Sequence, residues 1–430
     1  MAGVRRRAFL GAAGAALAGP AVRAQDGAGT RAGPVRIGCL VALSGAQEVI
    51  GRPILDGAEI AAEQVNAAGG VLGRPVEVVP HDIHVDPDTA LRGLHELRAQ
   101  GVNLFCGVLS STVALALAPA LQPAGAVLLT CAAASEKLTH EAFTPNLFRV
   151  SDQTVMRNRA QAQLMAQRYP DVRRWGAIIP DVEYGASALA SFRDGLQAAY
   201  PAHAKRMPDL DEPVVARFGA TDFRREIAAL RERGADGLFI AVYGDDATLF
   251  YRQAARAGLM RQVGVLADAT NEFLVPEALG AGCPEHLWLG MTWYYGGYQD
   301  LPMGRQLYRD YVRRTGNALP LGYIQTGHAA VLAYAAAIGK ARATDTAPVI
   351  AALEGLTWDT AKGPVTLRRE DHQAVCDVNF IRIRTGVEAG LGILDTGRPD
   401  VEVAEFLRFA GANVIEPPTP GEAMRYGTHG

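Results

Sequence analysis

VRIGCLVAL at residues 35–43 is followed at helical spacing by Ile54, Ala58, Ala61 and Val65, then by Gly69, Gly70 and a second β-branched run, VEVV at 76–79. An apolar run without polar alternation predicts a strand buried on both faces, the kind found inside parallel sheets. Apolar residues recurring every three or four positions predict a helix packed on that sheet, and the paired glycines predict its end. A strand, a helix and a further strand in that order form a right-handed parallel unit.

The same alternation continues downstream. Asp86 and Pro87 read as an N-cap followed by a first-turn proline, opening an amphipathic helix through Leu91, Leu94 and Leu97. LFCGV at 104–108 and AVLLT at 126–130 are strands, with a helix from Ser111 to Gln122 between them. The series then restarts, with helices at 154–169 and 184–200, a further helix carrying Phe223, Ile227 and Leu230, and strands at 175–180, 237–242, 263–266 and 287–292. Two long helices, 301–314 and 323–341, are expected to return to the first lobe. The predicted fold is α/β, two doubly wound Rossmann-like lobes joined by a multi-strand hinge. Residues 34–150 with 295–372 form lobe one, and 151–292 with 376–410 form lobe two. The Pro- and Gly-rich segment 411–430 reads as a flexible tail. The carboxyl ends of both sets of strands would face one cleft.

The N-terminus carries RRRAFL at 5–10, an Ala/Gly/Leu stretch, and Val22, Arg23 and Ala24. This reads as a signal peptide cleaved near Ala24. Arg6, Arg7, Phe9 and Leu10 resemble the twin-arginine export motif, with Arg5 and Gly11 departing from its flanks. The apolar run is too short to span a bilayer, so a periplasmic, non-inserted protein is expected. GAAG at 11–14 lies inside that run with no strand before it and is not a dinucleotide loop. A net charge of −3 with 20% charged residues gives no reason to expect nucleic-acid binding. The five cysteines are too scattered for a disulfide framework or zinc site; Cys39, Cys106 and Cys131 lie in strands, and Cys283 with Cys376 is the one pair worth testing. His81, Asp82, His84 and Asp86 read as turn and cap residues rather than metal ligands. No nucleophile elbow, HExxH or phosphate loop occurs, so no catalytic set, cofactor or metal is expected.

Several segments together resemble the leucine/isoleucine/valine-type periplasmic binding proteins. They are IGCLVALSG at 37–45, NAAGGVLGRPVE at 66–77, DPDTA at 86–90, GVLSS at 107–111, VEYG at 182–185, YRQAARAGL at 251–259 and KGPVTL at 362–367. The resemblance covers most of the mature chain. It implies the type I binding-protein fold, a monomer that closes on a small solute, and a membrane ABC permease as partner. It also implies a ligand held by Ser111, Ala132 and Ala134 of lobe one and by Tyr184, Tyr243 and Asp268 of lobe two, with Tyr323 as an aromatic wall. Ala134 stands where the family has a threonine, with Ser135 one position on.

The residues themselves support part of this set. SST at 110–112 closes a strand and opens a helix, so its hydroxyls and N–H groups converge where an anion is favoured. Ser110 reads equally as an N-cap. Tyr184 and Tyr243 follow strands of lobe two directly, and Asp245 and Asp246 read as caps of the next helix. Asp268 either neutralises a ligand ammonium or caps its loop. In WYYGGY at 293–298, Trp293 either stacks on ligand or packs in the core. The expected function is solute binding for an ABC importer, the solute being a branched-chain or related amino acid. An amide, urea or an aromatic carboxylate is the alternative, and an exported enzyme or a ligand sensor the rival from another class.

Overall fold

A computed structural model describes residues 33–385, 394–395 and 401–427; the signal-peptide reading at 1–24 lies outside them. Lobe one opens with β1 (Val35–Val41), α1 (Glu48–Ala67), β2 (Val76–Asp82), α2 (Pro87–Ala99), β3 (Leu104–Gly107), α3 (Ser111–Leu121), β4 (Val127–Thr130) and β5 (Leu147–Arg149). Its strands are parallel in the order β2-β1-β3-β4-β5, so the order reverses at β1. In β1 the side chains of Val35, Ile37, Cys39, Leu40 and Val41 are all buried, as a strand covered by helices on both faces requires. Asp86 caps α2 as expected, accepting the Thr89 N–H at 2.8 Å.

The chain then crosses into lobe two. This lobe contains α4 (Thr154–Arg168), β6 (Arg174–Pro180), α5 (Glu183–His203), β7 (Asp209–Leu210), β8 (Val214–Ala216), α6 (Arg224–Arg233), β9 (Gly237–Ile240), α7 (Asp245–Ala257), β10 (Val265–Asp268), α8 (Leu274–Leu279) and β11 (Leu287–Met291). A second crossing leads to α9 (Pro302–Thr315), α10 (Tyr323–Ala341) and α11 (Thr346–Leu353), and to the small antiparallel sheet β12 (Thr357–Thr360), β13 (Gly363–Leu367) and β14 (Ala374–Val375). A third crossing returns to lobe two through β15 (Val378–Thr385), β16 (Leu394–Asp395) and β17 (Val401–Phe409). The order β17-β15-β11-β10-β9-β6 is parallel from β6 to β11 and antiparallel beyond. The result is two α/β lobes whose strand tips meet across the crossings. Strands β5, β7, β8 and β12 to β17 are not among those expected from the sequence.

Helices α1 and α10 pack backbone to backbone, which binds the returning helices to lobe one. A methyl group on Gly57 would collide with the carbonyl oxygen of Ile324, and one on Gly327 with that of Ile54. Gly327→Ala is therefore expected to lower the unfolding free energy by about 1–3 kcal/mol or more, because two backbones must part. Urea denaturation checks this, and an unchanged midpoint would show that the helices slide apart without cost.

Two expectations need correction here. Cys283 and Cys376 are both buried free thiols, so the tested pairing is not formed. Segment 411–427 is also not loose along its length. Glu416 is 2% exposed and meets His140 at 3.2 Å, the Gly421 N–H donates to the His140 carbonyl at 2.7 Å, and the Gly427 N–H donates to Asp194 at 2.6 Å. Pro and Gly prevent regular structure in this segment without preventing it from packing.

Candidate functional site

Buried cations join the three crossings at the hinge. Arg149, at the end of β5, donates to the carbonyls of Ala133 (3.0 Å) and Ser135 (2.5 Å) and to Gln373 (2.8 Å), tying the first crossing to the third. Burial pulls its guanidinium down to about 10, still charged at neutral pH. Lys362 donates to the Thr292 carbonyl at 3.1 Å and to the Asp377 carbonyl, tying the second crossing to the third. Arg157, on α4, grips Asp152 with two bonds of 2.7 Å and reaches Thr270 at 2.7 Å and Thr292 at 3.4 Å. Burial opposes the charge on Arg157, but Asp152 beside it outweighs that cost and holds the guanidinium above its ordinary range.

Beside these cations lies a narrow cavity, part of it continuous with solvent. Lobe one contributes Ile50, Leu109, Cys131, Ala132, Ala134 and, from α10, Tyr323; the first crossing contributes Ser151 and Asp152; lobe two contributes Arg157, Tyr184, Tyr243, Thr270 and Thr292. Every strand-end loop that reaches it follows the carboxyl end of its strand, as the switch-point rule requires. Leu109 is aimed inward by a backbone reversal at Val108, whose φ of 55° is unusual for a β-branched residue. Tyr184 and Tyr243 meet edge to face at 5.4 Å, and Tyr243 also leans on Phe218 at 5.5 Å. The Tyr323 hydroxyl contacts the Thr270 hydroxyl at 2.6 Å. Burial pushes Tyr323 up to about 12 and raises Tyr184 and Tyr243 further, so all three phenols are neutral hydroxyls. The Tyr184 and Ser151 hydroxyls are buried without a hydrogen-bond partner.

Of the expected site residues, Ala132, Ala134, Tyr184, Tyr243 and Tyr323 come together here. Ser111, Ser135, Asp268 and Trp293 do not line the cavity. Ser110 caps α3 at 3.4 Å, while Ser111 accepts the Ser135 N–H at 3.0 Å. The Ser135 hydroxyl donates to Glu183 at 3.1 Å, and Lys137 joins the same carboxylate at 3.1 Å. Asp268 is fully buried, with both oxygens occupied: one accepts the N–H groups of Thr270 (2.9 Å) and Asn271 (2.7 Å), the other Tyr251 (2.7 Å) and the Asn271 amide (2.8 Å). It is a loop anchor rather than the expected ammonium partner. Trp293 lies in the core against Gly322. Asp245 and Asp246 are not caps; Gly244, at φ 65°, holds that position of α7, and Asp246 accepts the Gly219 N–H at 2.7 Å.

Sequence reading missed Asp152, Arg157, Ser151, Thr270 and Thr292. One signal was present. Arg157 sits in the first turn of α4, where the helix dipole repels a cation, so a specific partner was to be expected. Behind the cavity, Glu272 accepts the Thr292 N–H at 2.7 Å and the Gly322 N–H, and burial pushes its carboxyl up to about 7.

A family model described as "Periplasmic binding protein" matches residues 34–388. Leu/Ile/Val-binding protein homolog 8 of Brucella abortus is 25% identical over 260 residues, 58% of this chain. The chain spans only 61% of that relative's length. The leucine-, isoleucine-, valine-, threonine-, and alanine-binding protein of Pseudomonas aeruginosa is 25% identical over 314 residues, 71% of this chain and 78% of the relative. An amino acid ABC transporter substrate-binding protein from Pseudomonas fluorescens superposes with a TM-score of 0.74 at 22% identity, covering 91% of this chain and 100% of that one. A solute binding protein of an ABC transporter from Rhodopseudomonas palustris, in complex with 3,4-dihydroxy benzoic acid, also gives 0.74, at 19% identity, covering 88% of this chain and 98% of that one. At such identities these two structures establish the fold. No helix among the described residues is long and apolar enough to cross a membrane.

Proposed function

The chain belongs to the periplasmic binding protein family, a family of binding proteins and not of enzymes, and from that premise we propose that it takes a small carboxylate-bearing solute into the interlobe cavity and delivers it to a membrane ABC permease. One observation carries this reading: residues from the strand tips of both lobes, Ala132 and Ala134 on one side and Tyr184, Tyr243 and Thr270 on the other, line a single cavity. A solute there touches both lobes, and its contacts with the second lobe stabilise the closed form. The names of the Brucella and Pseudomonas aeruginosa relatives support an amino-acid-like solute, and the dihydroxybenzoate complex supports an aromatic carboxylate. A thermal-shift screen across amino acids, amides with urea, and aromatic carboxylates tests the reading; no shift with any class would count against the cleft as a binding site. Residues 1–24 are proposed as a twin-arginine export signal, which mass spectrometry of the protein from periplasmic extract checks through its N-terminus.

Closure should depend on contacts outside the cavity as well. Ser135 and Lys137 of lobe one reach Glu183, in the first turn of α5 in lobe two and next to Tyr184. Ser135 is buried, but Lys137 and Glu183 are partly exposed, at 39% and 20%, so solvent screens that pair. Glu183→Gln is expected to speed ligand release about two- to five-fold with association unchanged. Stopped-flow fluorescence checks this, and a change confined to the association rate would exclude a latch.

A further inference from the structure

We infer that the cavity selects a carboxylate with an apolar or aromatic body and no ammonium group. This rests on the proposed cleft binding and specifies its substrate class. The ground is the electrostatic inventory of the wall. An ammonium taken out of water needs a full negative charge beside it. Among the described lining residues the only carboxylate is Asp152, and both its oxygens are held by Arg157 at 2.7 Å. An ammonium brought to Asp152 would stand next to the guanidinium, and the pair offers it no net charge. Asp268, the last residue of β10, does not line the cavity and is saturated by Thr270, Asn271 and Tyr251. The phenols add no negative charge, because burial keeps them neutral.

For an anion the wall is well supplied. The Tyr184 and Ser151 hydroxyls line the cavity, buried and without partners, so each has a proton to donate. Arg157 also lines the cavity, and its bonds to Asp152, Thr270 and Thr292 leave the guanidinium an N–H to spare. Ile50, Leu109 and the edge-to-face pair of Tyr184 and Tyr243 supply apolar and ring surface for the rest of the molecule.

Matched pairs that differ only in the amine test this: 3-phenylpropionate against phenylalanine, and 4-methylpentanoate against leucine, titrated calorimetrically into the ligand-free chain. The acid of at least one pair is expected to bind, with its amino counterpart about ten-fold weaker or more. Equal or tighter binding of the amino acid overturns the inference while leaving the cleft reading intact. Failure of all four compounds at millimolar concentration overturns the inference, and the thermal-shift screen then decides separately whether the cleft binds anything. Tyr184→Phe provides a check that does not depend on the amine. Affinity for the acid should fall about ten-fold without loss of thermal stability, and unchanged affinity would remove the anion site from the cavity.

Discussion

Arg157→Met is expected to remove ligand binding and to cost about 3–5 kcal/mol of stability, because it strands the Asp152 carboxylate in the interior. Asp152 is 2% exposed, and the Thr270 and Thr292 hydroxyls lose their guanidinium partner as well. A second variant separates the two effects. Replacing Asp152 with leucine together with Arg157→Met removes both charges, and swaps of this kind are often neutral or stabilising in buried pairs. The double variant should therefore recover most of the lost stability in urea denaturation and none of the binding in calorimetry. A single variant as stable as the parent would show that the pair is not buried in solution. Binding by the double variant would show that the ligand does not use it.

Most of the parallel core of both lobes was legible because strands such as β1, β3, β4, β6, β9 and β10 are short apolar runs; β5 was not, because it is only three residues long and ends on the buried Arg149. Nor was the antiparallel ribbon. In β15, Arg382 and Arg384 interrupt the apolar run; they face Glu405 and Glu402 of β17 at 2.7 and 3.3 Å. Charges that pair across a ribbon read as loop when only one strand is in view. The cavity was partly legible for a related reason. The positions that follow strand ends can be found by counting along the chain, and Tyr184 and Tyr243 were found in that way, whereas Ala132 and Ala134 came from the family resemblance alone. What the side chains do there depends on neighbours distant in sequence. Asp268 and Ser111 lie at or just past strand ends, as the lining residues do, yet Tyr251 and Asn271 take up the first, and the Ser135 N–H takes up the second. Ser135, one step past the cavity-lining Ala134, reaches the opposite lobe through Glu183 instead of facing the cavity.

The C-terminal segment leads to the second large effect. From β17 it passes Gly411, packed against Cys376, then seats Glu416 among His140, Gln153 and Arg368. It continues to Thr419, 2.7 Å from His140, and ends against Asp194 on α5. It thus runs from lobe two to lobe one and back, forming a strap beside the three crossings. Deleting everything after Ala410 should cost at least about 3 kcal/mol, since several hydrogen bonds to buried charged groups are lost together. It should also widen the ligand-free scattering profile, because the lobes lose a tether. The same contact carries a pH dependence with a definite sign. Burial opposes the Glu416 charge, but the hydrogen bond from His140, a backbone hydrogen bond and the nearby Arg368 guanidinium together outweigh it and hold the carboxyl below its ordinary 4.5. A depressed carboxylate stabilises the fold above 4.5 and loses that contribution as pH falls through its folded value. Full-length protein should therefore lose stability in acid more steeply than a Glu416→Gln variant. If deletion changes neither the urea midpoint nor the scattering profile, the segment rests on the lobes without restraining them.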